Sequence, residues 1–256
     1  MFERVIEFIA PKNYVDLKQD YPKPIKLNIP EWYKKLNYTT DLKTVKGCMP
    51  FLDALTFGYV LSMPQDMSIL HNVDNTNEEG EKIKDCFHKF PIDAPRAMFG
   101  VNLNDSTESS VAYHHPNQLG GKEGGCPILD KNKNLPVHKI FNPWIIKTPP
   151  GYSCLFTSPL NNNDDRFNII PGIVDTDIFD REINFPIIIN GDKYPVLDTI
   201  LKKGTPYVQI IPFKRDNWKM KISSGSSDSF KFKHLLFDFR FLHNYKSDFW
   251  KKKRCT

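Results

Sequence analysis

Between Thr148 and Arg215 short apolar runs alternate with Gly and Pro, and that punctuation sets the expected fold. Residues 152–156, 167–174, 183–189, 196–201 and 207–213 are apolar segments too short for ordinary helices. The turn formers that punctuate this stretch include Pro149-Pro150-Gly151, Pro171-Gly172 and Lys203-Gly204-Thr205-Pro206. Strands bounded in this way, at near-regular spacing, predict a mainly β body of sandwich or barrel type.

The same reading extends outward. Val5, Ile6, Phe8 and Ile9 predict a first strand over 1–10, ended by Pro11. A Pro- and Lys-rich arm follows, with a short helix over 30–36 whose Trp32 and Tyr33 clamp it to the body. Residues 51–55 suit a helical turn, 58–64 a strand stopped by proline, and 67–70 another. Residues 73–85 are polar and acidic, which predicts a loop. The stretch 87–101 favours no element. Residues 102–134 hold little apolar material and several glycines, a long loop that is either functional or mobile. Apolar pattern resumes at Ile140-Phe141 and Trp144-Ile145-Ile146. Near the end Phe237, Phe239 and Phe241 alternate, before a helix carrying Tyr245, Phe249 and Trp250 and a basic end, Lys251-Lys252-Lys253-Arg254. The expected organisation is an N-terminal strand and arm over 1–47, a β-rich jelly-roll domain over 48–243, and a C-terminal helix and basic tail over 244–256.

Composition changes this picture little. The 256 residues suffice for a full core, and 20 Pro, 19 Phe and few Ala favour strands over long helices. A net charge of +5 permits a nucleic-acid or acidic partner without requiring one. No run approaches a membrane span, so no membrane partner is expected. Glu3 falls where a signal peptide carries only positive charge, so the chain is expected in the cytoplasm and not secreted. Five widely spaced cysteines form neither a disulfide framework nor a zinc knuckle, which agrees with a reducing compartment.

Four groups of residues invite a chemical reading. Asp175 and Asp177 sit at a turn, where such side chains either hold the turn's backbone or orient a water. His114 and His115 lie in the long loop; with Gln118 they would contact a ligand if that loop closed over a pocket. No third metal ligand stands at a recognisable spacing from them, so no metal site is assigned. Cys154, inside an apolar run, reads as a packed thiol. Lys214, Arg215 and Trp218-Lys219-Met220-Lys221, like the basic C-terminus, join charge with aromatic surface that suits single-stranded nucleic acid. For the C-terminal cluster a basic helix end facing the helix dipole serves equally.

Pro149-Pro150-Gly151-Tyr152, Gly172-Ile173-Val174-Asp175-Thr176-Asp177 and Lys203-Gly204-Thr205-Pro206-Tyr207-Val208-Gln209 resemble, in order and spacing, motifs of the dUTPase and dCTP deaminase family. Gly58-Tyr59-Val60-Leu61 resembles that family's first motif. The resemblance implies a distorted jelly-roll barrel, often assembled as a trimer with shared sites. It implies that Asp175 orients the attacking water, that Ser158 and Gln209 belong to the site with Asp177, and that Ile178 or Phe179 packs on the sugar. Mg²⁺ would serve only in that nucleotide chemistry. The chain departs from the pattern: Val60 replaces an acid, and no arginine precedes Ser158 to grip phosphate. Phosphoryl transfer relies on positioning and charge neutralisation. The overall sequence also resembles an uncharacterised family of phages and bacteria, through its N-P-W, P-P-G-Y-S and G-I-V-D-T-D segments.

Three functions follow as expectations. The first is a non-catalytic assembly or binding protein on this scaffold, phage-encoded and homo-oligomeric. The second is a dUTP or dCTP hydrolase or deaminase with a site rebuilt around Asp175. The third is a metal-dependent jelly-roll oxygenase using His114 or His115.

Overall fold

The computed structural model describes residues 4–12, 21–39, 44–63, 66–76, 82–89, 113–114, 127–133, 135, 137–140, 142–162, 164–228, 231 and 245–256. In chain order its strands begin with β1 (Glu7–Ile9), β2 (Lys23–Pro24), β3 (Tyr59–Ser62), β4 (Met67–Thr76), β5 (Lys82–Lys89), β6 (Tyr113–His114) and β7 (Val137–Ile140). They continue as β8 (Ile145–Lys147), β9 (Tyr152–Thr157), β10 (Phe167–Ile169), β11 (Gly172–Val174), β12 (Phe185–Ile189), β13 (Val196–Leu201) and β14 (Pro206–Lys214). Among the described residues three short α-helices, α1 (Glu31–Lys35), α2 (Met49–Thr56) and α3 (Ile128–Lys131), accompany them with two 3₁₀ turns in the arm.

The protein is mainly β. Its strands pair in four sheets: β11-β9-β14-β3-β2, β10-β12-β7-β6, β13-β4-β5 and β1-β8. Among the described residues none of these closes on itself into the expected barrel. One reason stands in the sequence. The apolar run 167–174 was expected as one strand, but Pro171 has no N–H to give a ladder. The chain leaves the second sheet at β10 and joins the first as β11, pairing Gly172 with Phe156.

One core serves all the larger sheets. Leu61 and Met63, Met67 and Ile69, Phe156, Phe185, Ile187, Leu201, Tyr207 and Val208 are buried in a single cluster. Phe185 binds the layers, with its ring centroid 5.5 Å from that of Phe156 and 5.7 Å from that of Tyr207. β13 shows how sequence period becomes packing. Leu197 and Leu201 face the core, while Val196 and Ile200 stand exposed on the opposite face.

Both ends of the chain tie to the body. β1 pairs with β8, β2 with β3, and Tyr33 stacks on Phe51 at 6.0 Å, so the expected aromatic clamp of the arm is present. Among the described residues the expected C-terminal helix is one wide turn over Tyr245–Phe249, after which no helix or strand forms up to Thr256. At the basic end the Trp250 indole donates to the Asp53 carboxylate at 3.0 Å and the Lys253 ammonium pairs with the same group. Cys255 is buried and accepts the N–H of Gly58.

Two expected loops hold regular structure. Residues 73–85 contain the end of β4 and the start of β5, a hairpin whose backbone ladder runs to Thr76 opposite Lys82. A ladder satisfies backbone groups whatever the side chains are, so polarity alone misleads there. Likewise the stretch 102–134 contains β6 and α3. Asn132, fully buried, donates to the Leu135 carbonyl and accepts from the Ile189 N–H, fastening the end of that stretch to β12. The alternating phenylalanines 237, 239 and 241 lie outside the described residues.

Gly58 is where strand β3, the arm and the C-terminus meet. Its φ is +94°, and a Cβ there would lie 2.2 Å from the Ile210 carbonyl oxygen. Gly204 has a φ of +82° in open space. Gly58→Ala is expected to lower the unfolding free energy by about 2–4 kcal/mol. Gly204→Ala, which carries only the dihedral penalty, should cost about 1 kcal/mol. Urea titration of the two variants measures both; equal losses would contradict the close contact at Gly58.

Candidate functional site

The acidic corner is built where three strand ends meet. β9 pairs with β11 on one side, through Val174 and Cys154, and with β14 on the other, through Lys214 and Tyr152. Asp175 and Arg215, the residues just beyond β11 and β14, are thereby brought together although forty positions separate them in sequence. Arg215 donates to both oxygens of Asp177, at 2.7 Å to Oδ1, and to the Tyr152 carbonyl and Ser153 Oγ at 3.1 Å. Its Nη1 also lies 3.1 Å from Asp175 Oδ1.

The two aspartates differ in setting. Asp177 is nearly enclosed, its side chain 5% exposed, and it accepts the Gly151 N–H at 2.8 Å as well as the guanidinium. Arg215 first, then that N–H, hold its carboxyl down at about 2. Asp175 is 51% exposed and accepts a hydrogen bond from Ser153 Oγ at 2.6 Å. Its own carbonyl accepts the N–H groups of Ile178 and Phe179, closing the turn. Below them the Thr176 hydroxyl meets Thr148 Oγ1 at 2.7 Å and donates to Cys154 Sγ at 3.4 Å. Burial pushes the Cys154 thiol up to about 11, so it is a packed thiol and not a nucleophile at neutral pH.

Ser158 and Gln209 stand at the other end of β9, some five extended residues or about 16 Å from Ser153. Gln209 is fully buried; its amide donates to the Ala54 and Phe57 carbonyls, and its Oε1 accepts the Leu160 N–H at 2.8 Å. Ser158 Oγ accepts the Ile169 N–H at 2.8 Å. These polar atoms hold α2, the turn after β9 and strand β10 in place. Register thus divides the expected composite site: Asp175, Asp177 and Phe179 lie at one end of the sheet, Ser158 and Gln209 at the other. Phe179 is partly exposed beside the acidic corner.

Of the loop candidates, His114 belongs to β6 and pairs with Val137; His115 and Gln118 lie outside the described residues. Among the described residues no three His, Cys, Asp or Glu side chains gather so as to hold a metal ion. At the acidic corner an ion such as Mg²⁺ would meet the half-exposed carboxylate of Asp175, with the rest of its ligands supplied by phosphate or water.

Sequence reasoning missed Arg215 as a member of the corner, because the arginine that the motif places before Ser158 is absent and this one arrives from a distant strand. It also missed a cleft of about 500 Å³ between the arm and the C-terminal tail, lined by Tyr33, Tyr38, Met49, Leu52, Lys246 and Trp250 among others. Of the two basic-aromatic clusters, the C-terminal one is tied to Asp53 as described above. The other, around Trp218, stands open, with Lys219 and Lys221 exposed. No family model, curated protein or solved structure matches the chain.

Protonation links this geometry to stability in two separate pH windows. Burial pushes His71, enclosed in β4, down to about 4. The unfolded chain therefore binds a proton below about pH 6.5 that the folded one refuses until about 4. Asp177, depressed in the folded state, supports stability above about pH 4 and loses that support as pH falls towards 2. Urea midpoints measured from pH 7 to pH 2.5 should decline in both windows. His71→Asn should flatten the upper decline and Asp177→Asn the lower; a profile unchanged by either variant would contradict these settings.

Proposed function

We propose that the chain acts as a non-catalytic binding or assembly protein carried on a β body. One observation supports this above the others: the side chains suited to nucleotide chemistry spend their polar atoms on the frame. Arg215 is committed to Asp177, Ser158 and Gln209 to backbone groups of neighbouring elements, and the carboxylate of Asp175 to Ser153 and Arg215. A guanidinium already satisfied by carboxylates must break those bonds before it grips phosphate.

A second reading has its own observation. Asp175 is the one acid of the corner with half its surface in water, and a cation stands beside it. A hydrolase of dUTP or dCTP would use Asp175 to orient water and phosphate-borne Mg²⁺ to neutralise charge. Incubation with dUTP and dCTP in Mg²⁺, monitored by release of pyrophosphate and of ammonia, separates the two. The binding reading expects no turnover above the protein-free rate. Turnover abolished by Asp175→Asn, in a protein that keeps its circular dichroism, would overturn it.

A further inference from the structure

The chain runs on past the end of β14, and the described residues beyond it join no other sheet. Past Arg215, whose N–H donates to the Gly151 carbonyl, the chain stays irregular and exposed through residue 226. Among the described residues, 217–222 make no backbone hydrogen bond. The side chains alternate. Trp218, Met220 and Ile222 are 91%, 84% and 85% exposed, and Lys219 and Lys221 come between them. A segment in which apolar and basic residues alternate, with its backbone groups unpaired, can add to a sheet as a strand with one apolar side.

Register decides where such a strand can go. β11 and β14 are both antiparallel to β9, so they run in the same direction and stop at the same end of the sheet. β11 is the outermost strand there, and its Ile173 is 65% exposed. The arm leaves β14 heading away from its own β11 and would have to reverse to reach it. A two-fold axis perpendicular to the strands turns a second copy's β11 around, so that the arm of one chain meets it antiparallel. Because the arm's root at Arg215 is bonded to the residues that follow β11, one such axis lets both arms cross in a single closed interface.

Pairing of two arms with each other fits worse. Antiparallel pairing centred on Met220 sets Lys219 opposite Lys221, a repulsive match. Exchange onto β11 avoids this and gathers six large apolar side chains from the two arms with both copies of Ile173. At roughly 150 Å² for each Trp and about 100 Å² for each Met or Ile the arms alone bury about 700 Å². With a comparable area of covered ground the total falls among stable interfaces of about 1,200–2,000 Å².

The geometry points to a two-fold dimer in which residues 217–222 of each chain add as a strand to the free edge of β11 in its partner, Met220 lying beside Ile173. This gives the assembly reading its partner, a second copy, and it rests on that reading only for biological purpose; nucleotide turnover would leave the dimer standing.

Light scattering on the full chain should give twice the chain mass at micromolar concentration. Trp218→Glu with Met220→Glu should give the monomer mass. In case that variant misfolds, a second measurement stands alone. Met220→Cys and Ile173→Cys chains, each also carrying Cys48→Ser, should cross-link on mild oxidation only when mixed. Monomer mass at every concentration would overturn the proposal, as would a trimer or a dimer that survives the glutamates. Cross-linking of Met220→Cys chains with themselves would also overturn it. So would a monomeric chain whose arm binds single-stranded DNA or anionic vesicles and loses that binding with Trp218→Glu.

Discussion

Arg215 leaves β14 with two carboxylates, a hydroxyl and a carbonyl within bonding distance, the last two from the start of β9 and the carboxylates from the turn after β11 on its far side. A planar fork of donors suits that task better than a flexible ammonium. By holding the turn after β11 and the start of β9 together, the guanidinium fixes the end of the five-stranded sheet at which the chain would otherwise fray. Gln209 performs the matching service at the other end, where its three hydrogen bonds join β14 to α2 and to the turn after β9. The central strand is thus fastened twice by polar side chains, and the apolar cluster fills the span between.

That arrangement explains why motif residues and chemistry come apart here. A turn aspartate serves water activation only if its oxygens are free to take a proton or orient a solvent molecule. Asp177 is enclosed and bonded, and Asp175 keeps one face to water. The Gly and Pro positions of the motif stretch have plain mechanical uses: Gly151 takes a positive φ and offers its N–H to Asp177, while Pro171 moves the chain from one sheet to another. Residues that fix turns are kept by the fold whether or not a substrate is ever bound.

Much of the fold was legible from one local rule. Apolar runs between turn formers located β7 to β9 and β12 to β14 to within a few residues, and ran β10 and β11 together, since strand length and burial are written in the same short window. What stayed hidden was non-local. The polar ladder of β4 and β5 carries no hydrophobic signature, and Pro171 reads as an interruption without saying that a different sheet follows. The corner was visible as Asp175 and Asp177 but its cation was not, because only the pairing of β14 with β9 brings Arg215 there. Ser158 and Gln209 looked like companions of Asp175 for the opposite reason: nearness in motif order says nothing about which end of a strand a residue occupies.

A double-mutant cycle across the corner tests most directly whether it is part of the frame. Arg215→Gln, Asp177→Asn and the double variant would be unfolded in urea at pH 7 beside the parent chain. If the guanidinium pins the turn, each single variant loses stability and the double variant loses clearly less than the sum, because the second change removes a partner already orphaned. Strictly additive losses, or single variants as stable as the parent, would show that the corner bears no structural load and would return Asp175 and Asp177 to the service of a ligand.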